Sequence, residues 1–212
     1  LPFGSGNDFA QNIGLNRDFD SSVKVLQQNS ITEIDAVENE SGVFINTFGI
    51  GIDGLTNFYA SNSKFKTGSL RYFFGGLKAL MVSKPFEASI YIPELKVFIR
   101  RKIWMVVVAN GKTEGGRYTI SPSSNNYDGE LEIVVVKSVP RLRILIEFLK
   151  LSFGFPFKKS IIESYKVTEE CKIETAYKVR AHSDGEQIFG NKTYSFKLLT
   201  SSLPVVTDMK SR

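Results

Sequence analysis

The sequence predicts an α+β fold, mainly β, and three observations carry that expectation. The 212 residues are 42% hydrophobic and 12% aromatic, enough to bury a sizeable core and too many for a disordered chain. From residue 86 onward, apolar segments of strand length are separated by short Gly, Pro, Asn and Asp signals. Helical periodicity is confined to the part before residue 83 and to one later interruption at residues 142–151. Such spacing suits a β-sandwich or barrel in one large domain, or one domain with a fragment of a second.

The chain opens on Leu1-Pro2-Phe3-Gly4-Ser5-Gly6-Asn7-Asp8-Phe9-Ala10. This is an apolar start and a glycine-bracketed turn, followed by a helix ending at Gly14. Asn7 or Asp8 can cap that helix, because a short side-chain oxygen accepts from its early unpaired N–H groups. A second helical pattern covers residues 22–28. The period becomes strand-like at residues 32–37 and 42–48, and closes on Gly49-Ile50-Gly51. Residues 53–61 and 68–82 read as helices. In the second of these, Leu70, Phe73, Phe74, Leu77, Leu80 and Met81 form one apolar stripe, expected to pack inward. Strands are expected at 88–92, 96–101, 103–110, 131–136, 160–167, 171–179 and 194–199, and no internal repeat is present.

Charge and rare residues narrow the classes further. Lys and Arg number 27 against 22 Asp and Glu, a net charge of +5. That excess suits an anionic substrate or a membrane surface and is too small to argue for nucleic acid. The single cysteine, Cys171, cannot form an internal disulfide, and the single histidine, His182, excludes a His-rich zinc cluster. No stretch approaches the roughly 18 apolar residues of a membrane-spanning helix. Residues 1–6 lack the charged and apolar regions of a signal peptide.

Several motifs fail on their geometry. Gly111-Lys112-Thr113 would be the end of a phosphate loop, but Val106 stands where that loop needs its first glycine. His182-Ser183-Asp184 names the members of a hydrolase triad, yet neighbours on an extended segment point to opposite faces and cannot converge. Asp128-Gly129 and Asp184-Gly185 each read as hairpin turns with solvent-facing carboxylates.

The opening segment resembles the Pro-x-Gly-Thr-x-Asn-Asp-x-Ala stretch of the diacylglycerol kinase catalytic-domain family, which includes soluble bacterial lipid kinases and sphingosine and ceramide kinases. Further matches follow in order: Asp35, then Phe44-Ile45-Asn46 leading to Gly49-Ile50-Gly51-Ile52-Asp53, then Gly115-Gly116 and Pro122. They end with Asp128-Gly129-Glu130-Leu131-Glu132-Ile133 and Asp184-Gly185-Glu186. Each piece is short, and their ordered co-occurrence is what makes the resemblance specific.

The resemblance implies a β-sandwich lipid-kinase C-terminal domain at residues 31–199. Residues 1–30 would be a remnant of an α/β nucleotide-binding domain, and residues 200–212 a tail packing on that domain. It implies transfer of the γ-phosphoryl of ATP to the hydroxyl of a diacylglycerol-like or sphingoid lipid, with Mg²⁺. The family's Gly-Gly-Asp-Gly-Thr segment is absent from these residues, so the chain is read as the later portion of a kinase, and alone it is expected to be inactive.

By position, Ser5 matches a nucleotide-contacting Thr, and Asp8 and Asp35 match acidic residues of the nucleotide and Mg²⁺ network. Asn125, Asp128 and Glu130 match a structural Mg²⁺ site. Asp184 and Glu186 match the segment that supplies the catalytic base, and on one strand they would share a face, Glu186 being preferred as acceptor. A cytoplasmic protein peripheral to the membrane follows from the same resemblance. Its partner is a lipid substrate at the membrane surface; a homodimer is allowed and nucleic acid is not a partner. The rival reading is a non-catalytic β-domain that binds a lipid or partner.

Overall fold

The computed structural model describes residues 2, 6–15, 18–65, 67–116, 118–188 and 190–207. The elements before the strand-rich part are α1 (Asp8–Asn12), α2 (Phe19–Gln28), β1 (Ile31–Asn39), β2 (Gly42–Phe44), β3 (Thr47–Gly51), α3 (Ile52–Ser61) and α4 (Gly68–Val82). Then come β4 (Phe86–Ile92), β5 (Val97–Ala109), β6 (Thr113–Glu114), β7 (Tyr118–Thr119), β8 (Leu131–Lys137) and α5 (Arg141–Ser152). The chain closes with β9 (Ile162–Val167), β10 (Glu170–Thr175), β11 (Ala181–Ser183), β12 (Glu186–Ile188) and β13 (Thr193–Val206). The expected mainly-β α+β class is what the chain forms.

One curled sheet runs β12-β11-β3-β5-β4-β10-β13-β1-β2, with β8 pairing both β5 and β9. The β6-β7 hairpin stands apart from it. Inside the curl, Phe44, Phe48, Tyr194 and Phe196 pack edge-on around a fully buried aliphatic core. On the outer face, α3, α4 and α5 cover a second core that includes Trp104, Val107, Ile144 and Ile161. From Ile103 onward β5 therefore has both faces buried. That is why residues 103–109 read as one unbroken apolar run instead of an alternating one.

Several boundaries differ from the sequence expectation, each for a local reason. The two strands expected at 96–101 and 103–110 are a single strand, β5. Its first half pairs β4 and its second half pairs β3 and β8, with a register shift against β8 between Ile103 and Met105. The strand expected at 42–48 is broken, because the N–H groups of Ile45, Asn46 and Thr47 all turn to the Asp184 carboxylate. The strand expected at 171–179 stops at Thr175, whose hydroxyl donates to the Tyr177 carbonyl. The last strand runs on to Val206, across the expected boundary at residues 199/200. Thr207 then donates its N–H to Ser30 and its hydroxyl to Ile13, tying this end to the first two helices.

The apolar stripe of α4 does not pack inward as a whole. The helix meets its neighbours through Gly75, Gly76, Ala79 and Leu80, since a Cβ on Gly75 would lie 2.9 Å from the Ala60 nitrogen of α3. Close approach through small residues leaves the larger side chains at the margins. Leu70, Phe74 and Met81 are consequently exposed.

Candidate functional site

Two cavities meet beside the β6-β7 hairpin. The first is a cleft of about 600 Å³ with a polar side at Asn7, Asp8, Asn46, Thr47 and Asp184 and an apolar side that includes Phe9, Ile13, Leu26 and Val205. The second is a narrow apolar cavity of about 50 Å³ between helices and sheet, lined by Ile52, Met105, Tyr118, Ile120, Phe148 and Phe157. Among the described residues, Tyr72, Glu114 and Gly115 line both. Burial, and next to it the charge of Glu114, push the Tyr72 phenol up to about 12, so it stays a neutral O–H.

Asp184 and Gly185 are the two-residue turn joining β11 to β12, with φ +46° and +89°. Asp184 and Glu186 therefore do not share a strand face, and that expectation is corrected. The turn aims the Asp184 carboxylate at the β2-β3 break, where it accepts from Ile45 N at 2.8 Å, Asn46 N at 2.9 Å and Thr47 N at 2.8 Å. Asp184 lines the polar cleft, whereas Glu186 is exposed on β12, opposite Ser183 and outside the residues that line it.

Behind the turn lies a buried group built from three elements. His182 of β11 is fully buried, and its Nε2 lies 3.1 Å from Asp53 Oδ2 of α3 and 2.8 Å from Glu114 Oε1 of β6. Gly49 makes the room: a Cβ there would sit 1.9 Å from Asp53 Oδ2 and 2.6 Å from His182 Nε2. Burial, then repulsion from Asp53, raise Glu114 to about 7. Burial pushes His182 down, but attraction from Glu114 and Asp53 outweighs it and holds the imidazole well above its ordinary value.

The proton's place follows from the other ring nitrogen. Gly185 N–H donates to His182 Nδ1 at 3.3 Å, which puts the ring proton on Nε2, facing the carboxylates. A further proton entering the cluster is shared among His182, Glu114 and Asp53. The ligand atoms of Asp53, Glu114 and His182 lie within 4.8 Å of one another, close enough for a divalent metal. A metal on Nε2 needs that nitrogen unprotonated, which the Gly185 contact opposes. The group is a proton-sharing cluster.

The other expected residues fall into two places. Asp8, in the first turn of α1, accepts from Gly116 N with both oxygens at 2.9 and 3.0 Å, and lines the polar cleft. Ser5 lies outside the described residues. Asp35 is buried at the bulge between β1 and β13, where it accepts from Ser201 N at 2.9 Å and Gly129 N at 2.8 Å. Asn125, Asp128 and Glu130 lie in the loop before β8. Asp128 accepts from Glu130 N at 3.1 Å, and Glu130 is paired with Lys166. Two carboxylates and an amide oxygen suit Mg²⁺. Burial raises Asp128, the direction expected of a carboxylate short of positive charge.

Sequence reasoning did not find Glu114, Asp53, His182 and Tyr72 as a group, because they come from four elements. The one signal was the pair of glycines at 49 and 51. Gly49 is needed for the close approach of Asp53 and His182, and Gly51 for its φ of +98°.

Comparison with known proteins agrees with this architecture. A "Probable lipid kinase YegS-like" of Chromohalobacter salexigens is 23% identical over 89% of this chain and 60% of its own length. A "Diacylglycerol kinase" of Bacillus subtilis is 26% identical over 88% of this chain and 61% of its own. The crystal structure of a diacylglycerol kinase from Bacillus anthracis superposes with a TM-score of 0.70 at 20% identity, covering 97% of this chain and 64% of that one. The chain thus spans less than two thirds of the length of these relatives. The family model described as the YegS C-terminal NAD kinase beta sandwich-like domain matches residues 46–207, and the chain belongs to that family.

Proposed function

We propose that the chain forms the acceptor side of an ATP-dependent lipid kinase, which transfers the γ-phosphoryl of ATP to the hydroxyl of a diacylglycerol-like or sphingoid lipid. The observation that carries this reading is the junction, at Tyr72 and Glu114, of an apolar cavity with a cleft whose one side carries Asp8, Asn46 and Asp184. A lipid alcohol has the same division, an apolar chain ending at a hydroxyl. The cavity accepts the first carbons as it stands, and a full chain needs α4 and α5 to part. The names of the relatives, lipid kinase and diacylglycerol kinase, support the same reaction.

Phosphoryl transfer asks mainly for positioning and charge neutralisation. Asp184 fixes the floor of the cleft by holding residues 45–47, and Asp8 fixes the β6-β7 turn above it. Asn125 and Asp128 would hold Mg²⁺, with Glu130 joining if Lys166 releases it; the ion would supply positive charge beside the phosphates or stiffen this loop. Residues 1–212 contain no Gly-Gly-Asp-Gly-Thr segment, and with ATP, Mg²⁺ and diacylglycerol micelles they are expected to give little turnover.

The helical side suits a membrane surface. Leu70, Phe74, Met81, Ile146, Phe153 and Phe155 are exposed there, with Arg71, Lys158 and Lys159 in the same segments. No helix of the described residues is long and apolar enough to cross a membrane. A protein of this kind would work in the cytoplasm at the bilayer face and take its substrate from it. Calorimetric titration with dioctanoylglycerol tests the reading: saturable binding is expected, with glycerol alone giving none, and absence of binding would overturn it.

A further inference from the structure

A separate groove of about 330 Å³ opens where α3 begins and α4 ends, within the size range of small-ligand sites. Of its lining residues only Ile52 also lines the apolar cavity, and none lines the cleft. Phe86 and Trp104, both buried, form its floor. The loop after α4 brings Lys84 to it and the loop after β10 brings Lys178. Both lysines are exposed, and among the described residues neither has an ion-pair partner and no Asp or Glu lines the groove. The nearest acidic residues in sequence are engaged elsewhere, Asp53 with His182 and Glu87 with Arg100.

Three further features suit an anion. Gly51 and Ile52 line the groove at the start of α3, a ten-residue helix whose first N–H groups no side chain caps, so its positive end lies there. The negative end of α4 is neutralised, because Arg141 donates to the Met81 carbonyl at 2.7 Å and to the Ser83 carbonyl at 2.8 Å. The hydroxyl of Ser83, which also lines the groove, is buried without a hydrogen-bond partner; an anionic oxygen would supply its acceptor.

The margin of the groove is apolar. Val82 and Tyr177 line it at 54% and 51% exposed, and Met81 beside them is 72% exposed. A free phosphate would leave these side chains in water. A phospholipid would cover them with its glycerol backbone and first acyl carbons while the lysines hold its phosphate. We propose that this groove binds the phosphodiester headgroup of an anionic bilayer phospholipid and so fixes the helical side of the chain on the membrane. The inference goes beyond the lipid kinase reading, since the phospholipid here is an anchor and not the acceptor.

Trp104 is the only tryptophan, and its indole N–H is held by the Val139 carbonyl at 2.8 Å, so its NMR signal reports the groove without overlap. The chain is titrated with dihexanoylphosphatidylglycerol below its micelle concentration and, separately, with the phosphatidylcholine of the same chain length and with inorganic phosphate. A saturable shift of the Trp104 signal is expected with phosphatidylglycerol, at concentrations at least about tenfold lower than with either of the others. Replacing two lysines at an anionic lipid site costs about 30-fold in affinity, and Lys84→Gln with Lys178→Gln should show that loss. Lys158→Gln with Lys159→Gln removes the same charge from the loop after α5 and should leave binding unchanged; all four lysines are exposed, so both variants should fold. No binding of phosphatidylglycerol, equal binding of phosphatidylcholine, or equal losses in the two variants would overturn the inference. Inorganic phosphate binding as tightly as the lipid would assign the groove to a soluble anion and overturn it too. Dioctanoylglycerol binding is measured apart from all of these, so the lipid kinase reading stands or falls by itself.

Discussion

Replacing Asp184 tests by stability whether it clamps residues 45–47. Its carboxylate accepts three backbone N–H groups, at Ile45, Asn46 and Thr47. Hydrogen bonds to a charged acceptor contribute about 1.5–3 kcal/mol each, and this partly exposed site belongs at the lower end. Asn keeps one oxygen for Asn46 and Thr47 and tolerates the φ of +46°. It turns an NH₂ toward the Ile45 N–H, losing about 2 kcal/mol in all. Ala loses all three bonds and is strained at that φ, a cost of about 4 kcal/mol or more. For a chain of this length each kcal/mol moves Tm by about 2–4 °C, so Asn should lower it by about 4–8 °C and Ala by at least about twice that. Circular dichroism melts at fixed pH and salt measure both. Unchanged melting in the two variants would show that the clamp contributes nothing and that the reasoning from these three contacts is wrong.

The cluster gives a pH signature. Folded Glu114, raised to about 7, keeps its proton where the unfolded chain has lost it. Stability should therefore fall as pH rises through the window from the unfolded value to about 7, and raised His182 extends the fall upward; Glu114→Gln should flatten the part below 7 in melts run from pH 4.5 to 8. Gly49→Ala places a Cβ against Asp53 and His182 and should cost at least about 1–3 kcal/mol, read by urea unfolding, with the His182 NMR signals displaced. Mg²⁺ should raise Tm in the native chain by mass action, and Asp128→Ala should abolish that rise; an equal rise in both would remove Asp128 from the site. Phe153→Ser with Phe155→Ser should weaken sedimentation with anionic phosphatidylglycerol vesicles, and unchanged sedimentation would move the membrane face elsewhere.

Periodicity made the strand-rich region legible. Where strands end was not legible, because the causes are distant. The break at residues 45–46 depends on Asp184, far along the chain, and the bulge opposite Ser201 depends on Asp35. The stripe on α4 misled because amphipathicity alone does not say which part of an apolar face packs; Gly75 and Gly76 decided it. Asp-Gly at 184–185 was legible as a turn from its residue types, and the turn excludes the shared strand face expected of Asp184 and Glu186. The His182 cluster was illegible because its members are adjacent in space only.

The central claim is that the apolar cavity receives the lipid chain, with its hydroxyl toward the cleft. A diacylglycerol bearing a photoactivatable diazirine on its acyl chain, irradiated with the chain and mapped by peptide mass spectrometry, tests it most directly. The account predicts adducts on the cavity wall, at Met105, Tyr118, Phe148 or Phe157, suppressed by excess dioctanoylglycerol. Adducts confined to other surfaces, or unaffected by the competitor, would contradict it.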